Sequence, residues 1–149
     1  MMRTGKFAFG LALAAGLASL AAAGAAMADE PTRVPLDSQT TIGGVDVACT
    51  GIGQTKNDPK WLAYDARVEF ATAQRAYLAN EVVSLTDPAG QPVLTVSCDG
   101  PWVLLKLPAG KPYKVQASLI GQDAVPRSTT IKAPKHGQTR FVITFPDAH

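Results

Sequence analysis

The sequence predicts an all-β fold, a Greek-key β-sandwich of about seven to eight strands. Apolar and polar residues alternate with a period of two through most of the chain after residue 42. Clusters of Gly, Pro and Asp interrupt this alternation roughly every 8 to 12 residues, as in sandwiches and barrels. No segment shows the amphipathic pattern of a long crossover helix, so we expect consecutive antiparallel strands joined by short turns.

The first 28 of the 149 residues are predicted to be an export signal. Arg3 and Lys6 form a short positive region, an apolar run begins at Phe7, and small residues precede a cleavage site after Ala28. An uncleaved anchor is the alternative, because the apolar run is about long enough to cross a bilayer. Cleavage predicts a periplasmic or secreted protein with no membrane span after signal removal.

The mature chain is predicted to be electrically balanced. The full sequence has 14 basic and 12 acidic residues, and removal of the two basic residues of the signal leaves 12 of each. This balance argues against nucleic acid as a partner.

The segment that follows the signal is expected to lead into one folded domain. Residues 29–41 contain two prolines and many polar residues, which predicts an extended leader before a domain at residues 42–146. A first strand is predicted at residues 45–49. Asp58 followed by Pro59 is typical of a helix start, with a cap and a proline at the first helical position, and predicts one short helical turn near residues 59–65.

Seven further strands follow in the predicted domain. The strand near residues 127–132 has one large apolar residue, Ile131, and is expected at a sheet edge. In the strand that starts at residue 77, Glu81 falls in the apolar phase, so it must lie near a strand end or be paired. The seven strands are predicted at residues 66–73, 77–86, 94–98, 103–107, 113–119, 127–132 and 141–145.

Export changes the interpretation of the two cysteines, Cys49 and Cys98. An oxidising compartment favours a disulfide, and two cysteines allow only one. The bond would close a long loop and stabilise the fold by roughly 4 kcal/mol in the chain-entropy model. A reactive or metal-binding thiol is the alternative, but the chain has no CxxC pair and neither histidine is near a cysteine in sequence.

Three motifs in the second half of the chain resemble a known domain family. Leu85–Gly90 reads LTDPAG, Cys98–Trp102 reads CDGPW, and Leu107–Tyr113 reads LPAGKPY. Together they resemble the carboxypeptidase regulatory-like domain, which is related to transthyretin-like and prealbumin-like sandwiches, over about half of the chain. A looser likeness at Gly51–Gly53 is to small exported bacterial forms of this domain. The resemblance implies a β-sandwich that serves as an accessory, adhesive or carrier-binding module, and it supplies no catalytic residue.

The sequence contains little that suggests catalysis, so we predict that the protein is not an enzyme and has no cofactor or metal. His136 lies in a predicted turn and His149 is the last residue. The ending lacks the Tyr-Arg-Gly-Ser signature of transthyretin-like hydrolases, which disfavours a hydrolase. Weak calcium binding near Asp58 and Asp65 stays open as an alternative, although no EF-hand spacing is present.

Trp61 and Trp102 are candidate ligand-facing aromatic residues. Trp102 is out of phase with Val103, which places it on the opposite sheet face, under the segment 58–64. The more ordinary alternative is that both tryptophans belong to a small core.

The function these observations predict is that of a non-enzymatic exported β-sandwich module for protein or peptide interaction in the cell envelope. An edge strand or a loop would contact an envelope protein or peptide that the sequence does not identify. The alternative is a small-ligand or carbohydrate binding protein of the periplasm.

Overall fold

The computed structural model describes residues 30–149, which form ten β-strands. The predicted export signal and its cleavage site after Ala28 lie outside the described residues. In chain order the strands are β1 (Thr32–Val34), β2 (Ser38–Ile42), β3 (Val45–Thr50), β4 (Ala66–Thr72), β5 (Glu81–Thr86), β6 (Pro92–Cys98), β7 (Trp102–Leu105), β8 (Pro112–Leu119), β9 (Arg127–Lys132) and β10 (Thr139–Phe145). They form a first sheet with the order β1-β6-β5-β8-β9 and a second with the order β10-β4-β7-β3-β2.

The predicted all-β sandwich is confirmed, but it has ten strands instead of seven or eight. All eight predicted strands are present. The two additional strands, at residues 32–34 and 38–42, fall almost entirely in residues 29–41, which were expected to form an extended leader outside the domain. From residue 32 this segment is part of the sandwich, because β1 pairs with β6 and β2 forms a hairpin with β3. Gly43 and Gly44 make that hairpin turn with φ angles of 57° and 77°, a conformation that favours glycine.

Two edge pairings are parallel, whereas the turn pattern predicts antiparallel strands throughout. β1 runs parallel to β6 and β10 runs parallel to β4. Neither strand is joined to its neighbour by a hairpin, so no tight turn imposes the antiparallel direction. β10 follows β9 in the chain, but β9 lies in the first sheet and β10 in the second. The connection between them therefore crosses the sandwich, and β10 then pairs with β4 at the edge of the second sheet.

The predicted helical turn near residues 59–65 is present as a 3₁₀ helix at Pro59–Ala63. The Asp58 carboxylate caps it by accepting a hydrogen bond of 3.0 Å from the Lys60 backbone N–H. A second 3₁₀ helix, Thr55–Asn57, precedes it. No helix in residues 30–149 is long and apolar enough to cross a membrane.

Side chains are buried on both faces of the second sheet. Between the sheets lies the main core, in which Phe70, Leu85, Ile131 and Phe145 are among the largest fully buried side chains. A smaller cluster lies on the outer face of the second sheet, where the 3₁₀ segment covers it; its members are Ala48, Trp61, Tyr64 and Leu104. All four residues of β7 are therefore buried, although they alternate between the two faces.

Candidate functional site

Trp102 lies on the outer face of the second sheet, opposite Val103 of the main core, as its phase predicts. The indole is 8% exposed. The Tyr77 ring meets it edge-on, with 6.2 Å between centroids and 77° between planes. The Arg67 guanidinium lies 4.4 Å from the ring centroid and the Lys56 ammonium lies 6.0 Å from it. Trp102 is thus enclosed by cations and a second aromatic ring.

A glycine allows the chain to pass close to this indole. Gly51 has a φ of +116°, and a Cβ atom there would approach the Trp102 ring to 2.8 Å and the Pro101 ring to 2.7 Å. This glycine therefore has a close-packing role, in addition to its place in the turn after β3.

The second predicted aromatic residue, Trp61, is held by the 3₁₀ segment. It is 3% exposed, and its Nε1 donates a 2.8 Å hydrogen bond to the Thr55 carbonyl. Tyr64 packs beside it with 6.3 Å between ring centroids. The Gln138 amide fixes the segment to the loop before β10 by donating to the carbonyls of both Trp61 and Tyr64, at 2.8 and 3.0 Å.

Cations cover these two rings as well. The Lys60 ammonium lies 4.5 Å from the Trp61 ring centroid, and the Lys106 ammonium lies 5.5 Å from that of Tyr64. Such contacts are favourable because the negative ring face attracts the cation. We name this surface the basic aromatic face; its members are Trp61, Tyr64 and Trp102 with Lys56, Lys60, Arg67 and Lys106. A ligand arriving at it would meet the cations before the rings.

Glu69 lies beside Trp102 in the strand register and has no exposed surface. Its Oε2 accepts a hydrogen bond from Arg140 Nε, and its Oε1 accepts one of 3.5 Å from the Tyr77 hydroxyl. Arg67 Nε lies 3.3 Å from Oε1 without hydrogen-bond geometry, so that contact is ionic. The hydrogen bond from Arg140 to Glu69 raises the pKa of Arg140. One buried carboxylate thus holds two arginines of the outer face.

A shallow cavity of about 300 Å³ lies beside Tyr64 at one side of the basic aromatic face. Its walls are polar and include Thr41, Asp46 and Lys106. Asp46 pairs with Lys106 at 3.8 Å and accepts a 2.6 Å hydrogen bond from the Thr41 hydroxyl. Because these groups already pair with one another, this cavity offers little free hydrogen-bonding capacity.

The predicted disulfide between Cys49 and Cys98 is present. It joins β3 of the second sheet to β6 of the first, and both cysteines are buried in the main core. The bond therefore has a structural place, far from solvent.

Glu81 occupies the first position of β5, with no exposed surface and no hydrogen-bond partner for its carboxyl oxygens among residues 30–149. It pairs in register with Cys98 and Leu119 on the neighbouring strands. Burial, together with the nearby charge of Asp99, raises the pKa of Glu81 to about 9. The position of Glu81 at a strand end matches the expectation from sequence, and residues 30–149 supply no side chain that pairs with its carboxyl.

The other polar residues considered as catalytic or metal-binding candidates do not form a cluster. Asp58 caps the 3₁₀ helix, and the Asp65 carboxylate accepts a hydrogen bond of 3.2 Å from the Leu107 N–H. His136 and His149 are exposed at separate places. Within the described part of the chain, no group of three or more His, Cys, Asp or Glu residues could hold a metal ion.

The strand predicted at an edge, β9, is the last strand of the first sheet and pairs only with β8. Ile131 is its one buried residue. Its free side lies near β10, which is the edge strand of the second sheet. An added peptide strand could pair with either edge.

No protein-family model matches the chain, and no curated protein matches it. The resemblance to the carboxypeptidase regulatory-like domain therefore stays a prediction.

Proposed function

We propose that this chain is a non-enzymatic binding module of the cell envelope, and that it binds an acidic segment of a protein or peptide through the basic aromatic face. The observation that carries the proposal is the placement of four cation–ring pairs on one face of one sheet. Binding surfaces are enriched in Trp, Tyr and Arg, and charge complementarity selects the partner.

The electrostatics of the face favour an acidic partner. Basic and acidic side chains are balanced in the chain after the predicted signal, yet this surface brings three lysines and one arginine together. The lysines are held over rings and are already partly ordered. An acidic segment would therefore bind with a smaller loss of side-chain entropy than on free lysines.

The disulfide and the resemblance stated above support an exported module. A disulfide persists in oxidising compartments, which agrees with a periplasmic or secreted protein. The resembled family consists mostly of accessory and carrier-binding domains, which agrees with binding in place of catalysis.

The test is an affinity pull-down of the mature, oxidised protein from envelope extract, with identification by mass spectrometry. The face variant Lys56→Gln/Lys60→Gln/Lys106→Gln removes three charges. A matched control, Lys111→Gln/Lys114→Gln/Lys132→Gln, removes three charges from exposed positions on or beside β8 and β9. We expect an acid-rich partner that is captured by wild type and the control, lost with the face variant, and weakened by salt.

Two results would contradict the proposal. Equal capture by the face variant and wild type would exclude the basic aromatic face as the binding surface. Loss with the control variant alone would favour binding along the β9 edge.

A further inference from the structure

A second cavity on the outer face of the second sheet has a different chemistry from the basic aromatic face. It has a volume of about 510 Å³, within the range of small-molecule sites, and lies where β4, β10 and the turn after β4 meet. Arg75, Tyr77 and Arg140, with two threonines, supply its polar groups, and Ala71, Ala73 and Val142 supply apolar surface.

The fold brings these groups together from three segments. β10 runs parallel to β4 in a register that sets Arg140 beside Arg67 and Val142 beside Glu69. Tyr77 returns to β4 through a bridge with Ala71. Because β10 is the edge strand, no further strand covers this side of the cavity.

The cavity is electropositive, because arginines line it and acidic side chains do not. Glu69 lies behind it and binds Arg67 and Arg140, so its single charge is shared between two guanidinium groups. Arg75 forms no ion pair with any residue in 30–149. Arg67 and Arg140 thus share one carboxylate, Arg75 adds a further positive charge at the cavity, and none of the residues that line the cavity is acidic.

The backbone at Arg75 is in a conformation that does not favour arginine. Its φ is +67°, in the left-handed region where Gly and Asn are common. The turn is closed by a hydrogen bond of 3.0 Å from the Arg75 N–H to the Thr72 carbonyl, and one of 2.8 Å from the Thr72 N–H to the Ala76 carbonyl. Residues in such conformations cluster at ligand-binding sites, which agrees with a binding role for this guanidinium.

From this geometry we infer that the cavity binds an aliphatic carboxylate. Guanidinium groups bind carboxylates through paired charge-assisted hydrogen bonds, and the Tyr77 hydroxyl adds a further polar group. The alanines and Val142 give an apolar contact for a hydrocarbon substituent, which inorganic phosphate cannot use. The same chemistry is offered by a free carboxylic acid and by the C-terminus of a peptide.

The test is a titration of the ¹⁵N-labelled mature protein, followed by NMR, with sodium butyrate, butyramide and inorganic phosphate. We expect butyrate to give saturable shifts in the amides of residues 71–77 and 140–144, and butyramide to give none. Arg75→Gly should weaken butyrate binding at least tenfold without lowering the melting temperature. Lys111→Gln should bind butyrate as wild type does.

Titration with the peptide Ala-Ala-Val, as the free acid and as the C-terminal amide, distinguishes a peptide C-terminus from a free carboxylic acid as the ligand. Tighter binding of the free acid than of butyrate identifies a peptide C-terminus, and weaker binding identifies a small acid. Equal shifts with butyramide, or tighter binding of phosphate than of butyrate, would overturn the inference.

The site does not depend on the proposed function. The face variant Lys56→Gln/Lys60→Gln/Lys106→Gln should retain butyrate binding even if the basic aromatic face binds no partner. Loss of butyrate binding in the face variant would instead place the carboxylate on that face and overturn this site.

Discussion

The outer face of the second sheet and the core between the sheets each bury one glutamate completely, but the two carboxyls have different partners. Glu69 on the outer face meets two arginines and a tyrosine hydroxyl. Glu81 in the core has no hydrogen-bond partner among the described residues, and burial raises its pKa to about 9. Among the described residues both carboxyls are fully buried, but cations that offset the loss of water lie beside Glu69 alone.

The difference follows from what each region can supply. Arginines at the outer face keep part of the side chain in water, since Arg67 is 26% exposed and Arg140 is 54% exposed. Around Glu81 lie apolar core side chains, the disulfide and the nearby like charge of Asp99, and a cation in the core would lose its own hydration. The outer face can thus hold paired charges, whereas the core is most stable when Glu81 is neutral.

The largest expected effect tests the disulfide that links the sheets beside Glu81. Replacing both cysteines, Cys49→Ser/Cys98→Ser, should lower the free energy of unfolding by about 4 kcal/mol, because the unfolded chain loses a constraint across 49 residues of separation. Urea denaturation of the oxidised wild type, reduced wild type and the double variant measures this. Equal stability of oxidised and reduced wild type would show that packing alone holds the core together.

Next in size is the pH dependence that Glu81 imposes. Its pKa rises from 4.5 to about 9 on folding, so the folded protein keeps a proton that the unfolded chain releases. The contribution of Glu81 to stability should be greatest below about pH 4.5, fall progressively as pH rises, and level off above about pH 9. Glu81→Gln removes the titration and should raise the free energy of unfolding at pH 9, with little change at pH 4.5.

Denaturation at the two pH values measures this difference, and Asp123→Asn in an exposed loop is the control. The control should behave as wild type at both values. A Glu81→Gln variant with the same loss of stability between pH 4.5 and 9 as wild type would mean that other groups cause the pH dependence.

A smaller loss is expected at the outer glutamate. Glu69→Gln leaves Arg67 and Arg140 without their shared anion and should lower the free energy of unfolding by about 1 to 3 kcal/mol, less than for a fully buried pair because both arginines reach water. A double-mutant cycle with Arg140→Gln isolates the pair. A coupling energy near zero would make this contact an ordinary surface ion pair and would weaken the contrast with Glu81.

The sequence predicted strands and faces better than it predicted contacts. Period-two alternation located eight strands and placed Trp102 on the outer face. β1 and β2 were missed because they are short, polar and lie at sheet edges, so they bury too few residues to show a pattern. Their pairing depends on partners elsewhere in the chain, which local alternation does not record.

The candidate site was only partly predictable for the same reason. Glu69 alternates with the core residue Phe70 in the sequence, but its hydrogen bond with Arg140 joins residues that are 71 positions apart. Phase also identified Glu81 as a conflict within β5. Only the structure of the neighbouring strands β6 and β8 shows that the Glu81 carboxyl has no hydrogen-bond partner among the described residues.

The smallest predicted effect is a gain in stability, and it concerns the turn that carries Arg75. Arg75→Gly relieves a left-handed backbone strain of about 1 to 2 kcal/mol, and the greater freedom of glycine in the unfolded chain offsets part of the gain. The free energy of unfolding should rise by about 0.5 to 1 kcal/mol. Asn80, with a φ of +62°, provides a matched comparison, because asparagine tolerates this conformation and Asn80→Gly should gain less. A destabilised Arg75→Gly variant in urea denaturation would mean that this arginine supports the fold, and its strain could then no longer be attributed to ligand binding.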